Sequence, residues 1–161
     1  MKESLQYQFA RAIIAHLRKD PELAAVVEAE PFDSEDQVAA LDLAANAQGV
    51  SVLVAPQGVS APEGEGNNLV LAVRCAVEVL TTNQVQEGTA AELAACWTDY
   101  LAARMLSWIP SLEMGRSERP RITDILEAEV SSKLPNHTNL LGHVIFIEQR
   151  FNYLSYYGTR R

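Results

Sequence analysis

Apolar residues recur at every second position over residues 69–79, more regularly than anywhere else in the chain. The alternating apolar residues are Leu69, Leu71, Val73, Cys75, Val77 and Val79. The residues between them are mixed, and they include Arg74 and Glu78 as well as Val70, Ala72 and Ala76. Because successive strand side chains point to opposite faces, one face should be buried and the other mixed. The pattern predicts a long, half-buried antiparallel strand.

A turn and an amphipathic helix follow this strand. The turn begins at residues 81–83 and ends at Gly88, and Thr89 with Glu92 has the spacing of a capping box. The apolar positions that follow are Leu93, Trp97, Tyr100, Leu101, Met105 and Trp108. This spacing predicts a helix with one buried stripe, which Pro110 ends.

The N-terminal part predicts helices. Residues 3–19 have a helical apolar face made of Leu5, Phe9, Ala12, Ile13, His16 and Leu17. On that face, His16 is expected to be partly buried and hydrogen-bonded rather than a metal ligand. Asp20 can cap a short helix through residue 27 that begins at Pro21. Ser34 and Gln37 form a second capping-box pattern before a helix over about residues 38–47, which Gly49 closes.

The next segment predicts a short strand and a long loop. The strand covers residues 50–55 and should end at Pro56. The loop over residues 56–68 is rich in Gly, Pro and Asn, and we expect it to be exposed. Glu63 and Glu65 make it acidic. It lacks the lysine of a phosphate-binding loop, so a hairpin connection is the interpretation.

The C-terminal third contains one ambiguous segment and one clear strand. Residues 122–130 fit a strand or a helix, and we favour a strand because residues 143–153 would supply a hairpin partner. The predicted core face of the final strand is Ile145, Ile147, Phe151 and Tyr153. If the two strands pair, Glu127 and Glu129 could share a face with Glu148, which would indicate a charged exposed surface.

These elements predict the fold class. The order helix, helix, strand, strand, helix, strand, strand is α+β, with an antiparallel sheet of about four strands and helices packed mainly on one face. The sequence contains no internal repeat and no long linker, so we expect a single domain over residues 1–161.

The charge balance argues against a nucleic acid as the main partner. The formal net charge is −8 at pH 7, whereas phosphate binding needs clustered Lys and Arg. Arg116, Arg119 and Arg121 do cluster, and Arg160 with Arg161 ends the sequence. These arginines are either solvated or in contact with an acidic neighbouring subunit. With neither a signal-peptide pattern nor a membrane-length apolar run, the chain is expected to be made in the cytoplasm.

The sequence has no pattern that indicates a reaction. It contains no Gly-x-Ser-x-Gly, His-x-x-x-His or Cys-x-x-Cys spacing. The acids Asp33, Glu35 and Asp36 fit the first turn of a helix better than an acid–base pair. Cys75 and Cys96 are both expected to be small buried apolar residues. We therefore predict no catalytic residue, no metal site and no cofactor.

The order of elements nevertheless resembles a known family. The relevant segments are the alternating run over residues 69–80, Thr-Thr-Asn at 81–83, Gly-Thr-Ala-Ala-Glu-Leu at 88–93 and Trp-Ile-Pro at 108–110. The opening helix, the strand at 50–54 and the closing strand at 144–151 fit as well. Together they resemble the tail terminators and related neck, or head–tail joining, proteins of tailed bacteriophages.

This resemblance implies a structural role in a virion. Such proteins form a ring, usually a hexamer, at the head-proximal end of the tail tube, where the ring stops tube polymerisation and joins the tail to the head. The implied partners are further copies of the chain, the tail tube protein and a neck or connector protein, with assembly in the host cytoplasm. DNA would pass through the ring lumen without specific binding, and no membrane is involved. The candidate interface residues are Glu63, Glu65, Arg116, Arg119, Arg121, Tyr156, Tyr157, Arg160 and Arg161.

Two alternatives remain at this point. One is another joining protein of a phage neck or a contractile system. The other is a small cytoplasmic enzyme or ligand-binding domain, which would require a concave pocket with convergent titratable groups.

Overall fold

A computed structural model describes residues 4–33, 49–61, 70–81, 90–108, 119–129 and 141–152. Three helices and four strands lie within these residues. The helices are α1 (Leu5–Leu17), α2 (Pro21–Ala24) and α3 (Ala90–Leu106). The strands are β1 (Val50–Ser60), β2 (Val70–Thr81), β3 (Arg121–Glu129) and β4 (Leu141–Asn152).

The four strands form one antiparallel sheet in the order β1-β2-β4-β3. The two long strands β2 and β4 are central, and they pair along twelve residues from Val70↔Asn152 to Thr81↔Leu141. This arrangement confirms the α+β class with an antiparallel sheet. It also confirms the strand prediction for residues 122–129, which pair with the final strand; residue 130 lies outside the described residues.

The core lies between one face of the sheet and helices α1 and α3, and we call this face the helix face. The alternating residues of β2 predicted to be buried from Val73 to Val79 are all part of it. The core also contains Phe9, Ile13 and Leu17 of α1, Val52 and Val54 of β1, Leu101 and Met105 of α3, and Ile145, Ile147 and Phe151 of β4. The predicted apolar face of β4 is thus confirmed for its three described members; Tyr153 lies outside the described residues.

The buried face of α1 differs from the predicted one by a small rotation. Ala10 and Ile14 are buried, whereas Ala12 and His16 are only partly buried. The helix begins and ends within the predicted range. As predicted, Asp20 caps α2, because its carboxylate accepts a hydrogen bond from the Glu22 N–H at 3.0 Å, and Pro21 occupies the first turn. The helix predicted over residues 38–47 lies outside the described residues.

Strand β1 does not end at Pro56, contrary to the prediction, but continues to Ser60. Pro56 pairs with Cys75, and the register then shifts between Pro56 and Gly58. A proline is tolerated because β1 is an edge strand. The proline nitrogen, which has no hydrogen to donate, can face away from the neighbouring strand. Gly58 adopts a φ of 130°, which a residue with a side chain rarely adopts.

A segment over residues 26–32, the covering segment, lies along the outer edge of the first half of β1. Val26, Glu28 and Phe32 make main-chain hydrogen bonds to Val52 and Val54 at 2.8–2.9 Å. The Arg18 side chain donates to the Val27 carbonyl and holds this covering segment against the end of α1. Among the described residues, no main-chain hydrogen bond of this kind reaches the outer edge beyond Val54.

The register of β3 and β4 overturns the prediction that Glu127 and Glu129 share a face with Glu148. The strands pair as expected, but Glu127 lies opposite His143 and Glu129 opposite Leu141. His143 and Leu141 are odd-numbered residues of β4, so they lie on the opposite sheet face from Glu148, which pairs with Arg121. The irregularity between Ile122 and Asp124 adds one residue to β3 and so changes which residues share a face.

No helix of the described residues is long and apolar enough to span a bilayer.

Register partners Ile145 and Ile125 allow a direct test of where the core ends. Ile145 is fully buried, whereas Ile125 is 45% exposed. We expect Ile145→Ala to lower the free energy of unfolding by roughly 2–5 kcal/mol, because it leaves a cavity in the core. Ile125→Ala, the matched control on the neighbouring strand, should cost less than about 1 kcal/mol. Urea unfolding of both variants measures the difference, and equal losses would contradict this description of the core.

Candidate interaction surface

Strand β3 presents an exposed edge to solvent. Ile125 and Leu126 are 45% and 47% exposed, and they point to opposite faces of the sheet because they are consecutive strand residues. Among the described residues, β3 pairs with β4 alone. An exposed edge with large apolar side chains is a template for pairing with another chain.

Of the nine predicted interface residues, the structure describes two, and both adjoin this edge. Arg119 and Arg121 are exposed, immediately before and at the start of β3. Arg121 lies opposite Glu148 in the β3–β4 register. The other predicted residues lie outside the described residues: Glu63, Glu65, Arg116, Tyr156, Tyr157, Arg160 and Arg161.

The sheet face away from the core helices carries a small network of charges. The Arg74 Nε donates to the Glu148 Oε2 at 3.0 Å, and Arg150 Nε lies 3.6 Å from the other Glu148 oxygen. An open groove of about 440 Å³ lies beside this network, with Gln57, Thr123, Asp124 and Phe146 among its lining residues. The groove brings acidic and basic groups together, but Glu148 is already held by arginines. It therefore offers a polar contact surface rather than a free acid–base pair.

Glu78 also lies on that face, and burial raises its pKa above the usual range. Its register partners are Leu53 on β1 and Val144 on β4, which are apolar on either side. The charged form is therefore poorly solvated. Buried Leu53, Ala76 and Leu80 share this face, so it is less polar than the alternation of β2 suggests.

A polar cluster joins the ends of the three helices. The Asp20 carboxylate accepts hydrogen bonds from the Tyr100 hydroxyl at 2.5 Å and from Arg104. The Tyr100 hydrogen bond is the main reason why the pKa of Asp20 lies below its usual range, and Glu22 and Arg104 lower it further. Because Asp20 also caps α2, one carboxylate connects α1, α2 and α3.

His16 belongs to the same cluster, and it is partly buried and hydrogen-bonded as predicted. Its Nε2 lies 3.1 Å from the Arg104 carbonyl oxygen, and its ring stacks on Trp108 with centroids 4.4 Å apart. Desolvation is the largest effect on this ring, and the net result is a pKa below 6.5. The cavity beside it, about 200 Å³, is lined by residues of this same cluster. The role of this polar cluster is to hold the helices together.

The prediction for the two cysteines is right for Cys75 and wrong for Cys96. Cys75 is fully buried on the helix face, and burial raises its thiol pKa to about 12. Cys96 is exposed. It lies two residues after buried Ala94, about 200° around the helix, and therefore faces away from the core. Within the described residues, no three His, Cys, Asp or Glu side chains are placed to hold a metal ion.

Sequence reasoning missed the exposed edge itself. Ile125 and Leu126 are apolar, and apolar residues in a strand predict burial. The one available signal was that they are consecutive, since two adjacent apolar residues on a strand cannot both face the same core. The helix-end cluster was missed because Asp20 and Arg104 are 84 residues apart.

The lowered pKa of His16 sets the direction of its pH dependence. The folded state disfavours the protonated ring, so His16 should destabilise the fold as the pH falls below its unfolded pKa of about 6.5. We expect a smaller drop in Tm between pH 7.5 and 5 for His16→Asn than for the unaltered chain. Asp20 and Glu78 titrate in both proteins, so the difference between their Tm profiles isolates His16. Parallel profiles would show that the ring does not contribute.

Comparison with known proteins finds similarity among solved structures. No protein-family model matches the sequence, and no curated protein matches it. Among solved structures, a chain from the "Virion of native gene transfer agent (GTA) particle" has a similar fold, with a TM-score of 0.59 at 14% sequence identity. The alignment covers 89% of this chain and 93% of that chain. The two chains therefore share a fold along nearly their whole lengths.

Proposed function

We propose that this chain is a structural protein of a phage-like virion, and that it acts as a tail terminator. In this role it forms a ring, most simply a hexamer, at the head-proximal end of the tail tube. The ring ends tube polymerisation and provides the surface to which the neck attaches. Its partners are other copies of the chain, the tube protein and a neck or connector protein.

The observation that carries this proposal is the end-to-end similarity to a chain of a gene transfer agent virion. The similar fold extends over 89% of this chain and 93% of the other. The order of elements from which the tail-terminator resemblance was drawn is also the order found in the fold.

The physical properties of the described residues suit a ring subunit. The helix-end cluster around Asp20 and the buried core favour a rigid unit that keeps its shape under neighbour contacts. The exposed β3 edge supplies a surface for such contacts. The net charge of −8 suits a lumen through which DNA slides, since like charge prevents sticking.

The location of the chain in particles tests the proposal. We expect antibody labelling and electron microscopy of purified phage-like particles to place the chain at the junction of tail and head. Particles from cells that lack the gene should carry tails of uncontrolled length. Labelling at the distal tail tip, or particles that never contain the chain, would overturn the proposal. Labelling at the junction with normal tail length would favour the alternative of a different neck protein.

Charge reversal at Arg119 and Arg121 tests the predicted interface. We expect Arg119→Glu/Arg121→Glu to weaken assembly at least tenfold, because each change turns an attraction to an acidic neighbour into a repulsion. Light-scattering mass with and without tube protein measures assembly, and urea unfolding verifies that the monomer fold survives. Lys2→Glu/Lys19→Glu carries the same change in net charge and should assemble normally. If both variants assemble equally, these arginines are not contacts.

A further inference from the structure

Within the part of the chain that the structure describes, two edge segments have no strand partner, and they lie on opposite sides of the sheet. One is β3, whose outer edge pairs with no segment among the described residues. The other is the end of β1 over residues 57–60. It lies beyond Val54, the last residue of β1 that bonds to the covering segment. Each carries a large exposed apolar residue: Ile125 on β3 and Val59 on β1, both 45% exposed.

The main-chain groups of Val59 point outward. In the first half of β1, the even-numbered residues Val52 and Val54 bond to the covering segment, so they face away from β2. Pro56 continues this phase. The extra residue between Pro56 and Gly58 shifts the alternation by one, and the outward position becomes odd-numbered at Val59.

The main-chain groups of Ile125 point outward as well. Residues of a strand turn their N–H and C=O alternately to one neighbour and the other. We followed this alternation through the observed registers from β1 to β3. The main-chain groups of Asp124 and Leu126 then face β4, and those of Ile125 face outward. In agreement, the Ile125 N–H donates to the carboxylate of the preceding residue, Asp124 Oδ1, at 2.9 Å rather than to β4.

The two edges are also correctly oriented for each other. Four strands that alternate in direction leave β1 and β3 antiparallel. When two copies stand side by side, related by a rotation about an axis roughly along the strands, β3 of one copy meets β1 of the next in an antiparallel arrangement. The sheet would then continue across the boundary without a change in pattern.

We propose that copies of this chain associate head to tail through a shared sheet, in which β3 of one copy pairs with residues 57–60 of the next. Val59 lies opposite Ile125 of the second copy, and the two exchange both main-chain hydrogen bonds on the outer edges. Both side chains then lie on the helix face, because Val59 pairs with Val73 and Ile125 with Ile145 within their own sheets.

This register also matches the flanking residues. Gly58 falls opposite Leu126 of the second copy, and the space where a Cβ would stand at Gly58 is open within 4 Å. The Leu126 side chain thus has room to pack. Ser60 falls opposite Asp124 of the second copy, where its hydroxyl can donate to the carboxylate and replace the bond that Ile125 N–H makes in the isolated chain.

Charge disfavours the alternative of two β3 strands pairing with each other. β3 contains Asp124, Glu127 and Glu129 against one Arg121. A β3–β3 contact would bring six carboxylates along one short ladder, and like charges on neighbouring strands destabilise the pair. Residues 57–60 carry no charge, so they accept the acidic strand without that repulsion.

Head-to-tail pairing is a heterologous contact, and such contacts close into rings when the rotation between copies allows it. The inference therefore supplies the subunit contact of the proposed ring and rests on that proposal for its biological role. The contact itself can be tested without reference to the virion.

The test is disulfide trapping in the full chain with Cys96→Ser as background, which leaves buried Cys75 as the native thiol. Val59→Cys/Ile125→Cys places one thiol on each edge. Three strand spacings, about 14 Å, separate the two edges within one copy, so they cannot bond to each other there. Across the proposed contact, the Cα atoms would be about 5.5 Å apart, within the range of a disulfide.

We expect oxidation of this double variant to give a ladder of covalent oligomers on a non-reducing gel. Val59→Cys/Leu106→Cys is the matched control for random collision, since Leu106 is 50% exposed but lies on α3 rather than on an edge strand. It should give at least tenfold less product, as should Ile125→Cys alone. The oxidation is carried out on concentrated purified protein and on particles that contain the chain.

Each other outcome overturns the inference. An Ile125→Cys dimer would indicate β3–β3 pairing, equal ladders in the control would indicate collision, and no ladder in either sample would exclude the contact. If light scattering detects oligomers but the Val59–Ile125 disulfide does not form, the proposed contact is ruled out while the proposed ring is not. If the particles lack the chain, the proposed virion role is ruled out. Oxidation of the purified protein would still show whether the contact forms.

Discussion

The twelve-residue pairing of β2 with β4 is the constraint on which the rest of the fold depends. It fixes which side chains of both strands face α1 and α3, and it leaves β1 and β3 as the two edges. A slip of one residue on β2 would turn Arg74 and Glu78 toward the helices and remove Val73–Val79 from the core. Burying those charges without partners is costly, so the register is strongly specified.

The helix layer and the sheet edges follow from that choice in different ways. The helices are tied to one another at their ends by Asp20, Tyr100 and Arg104, which lets the layer behave as one body over the core. Among the described residues the two edges differ, since a segment folds back over the first half of β1 whereas none pairs with the outer edge of β3. A chain of a gene transfer agent virion has a similar fold at 14% identity, so the fold tolerates wide sequence change.

The sequence predicts the elements well because their signals are local. Strand alternation in β2, the Asp20–Pro21 helix start and the core face of β4 each depend on neighbours within a few residues. Non-local features were not predictable in the same way. Whether Pro56 ends a strand depends on whether that strand is at an edge, and the face of Glu127 depends on an irregularity in β3. Cys96 shows the same limit, because the run Ala94-Ala95-Cys96 places small apolar residues on both the buried and the exposed side of the helix. The interface candidates came from charge, whereas the exposed edge involves apolar residues that pattern alone assigns to a core.

The half-covered β1 edge gives the sheet an uneven resistance to local opening. Main-chain amides of β2 and β4 are enclosed on both sides, so their hydrogens exchange with solvent only when the sheet itself opens. The outward amides of Val59 and Ile125 need no such event. The strands that are best placed to meet a neighbour are thus the ones whose backbone is least protected in the isolated chain, and they already have the extended geometry that pairing requires. Association there would extend cooperative protection to the rim of the sheet at little cost in ordering, so that a subunit gains its full rigidity only as part of an assembly.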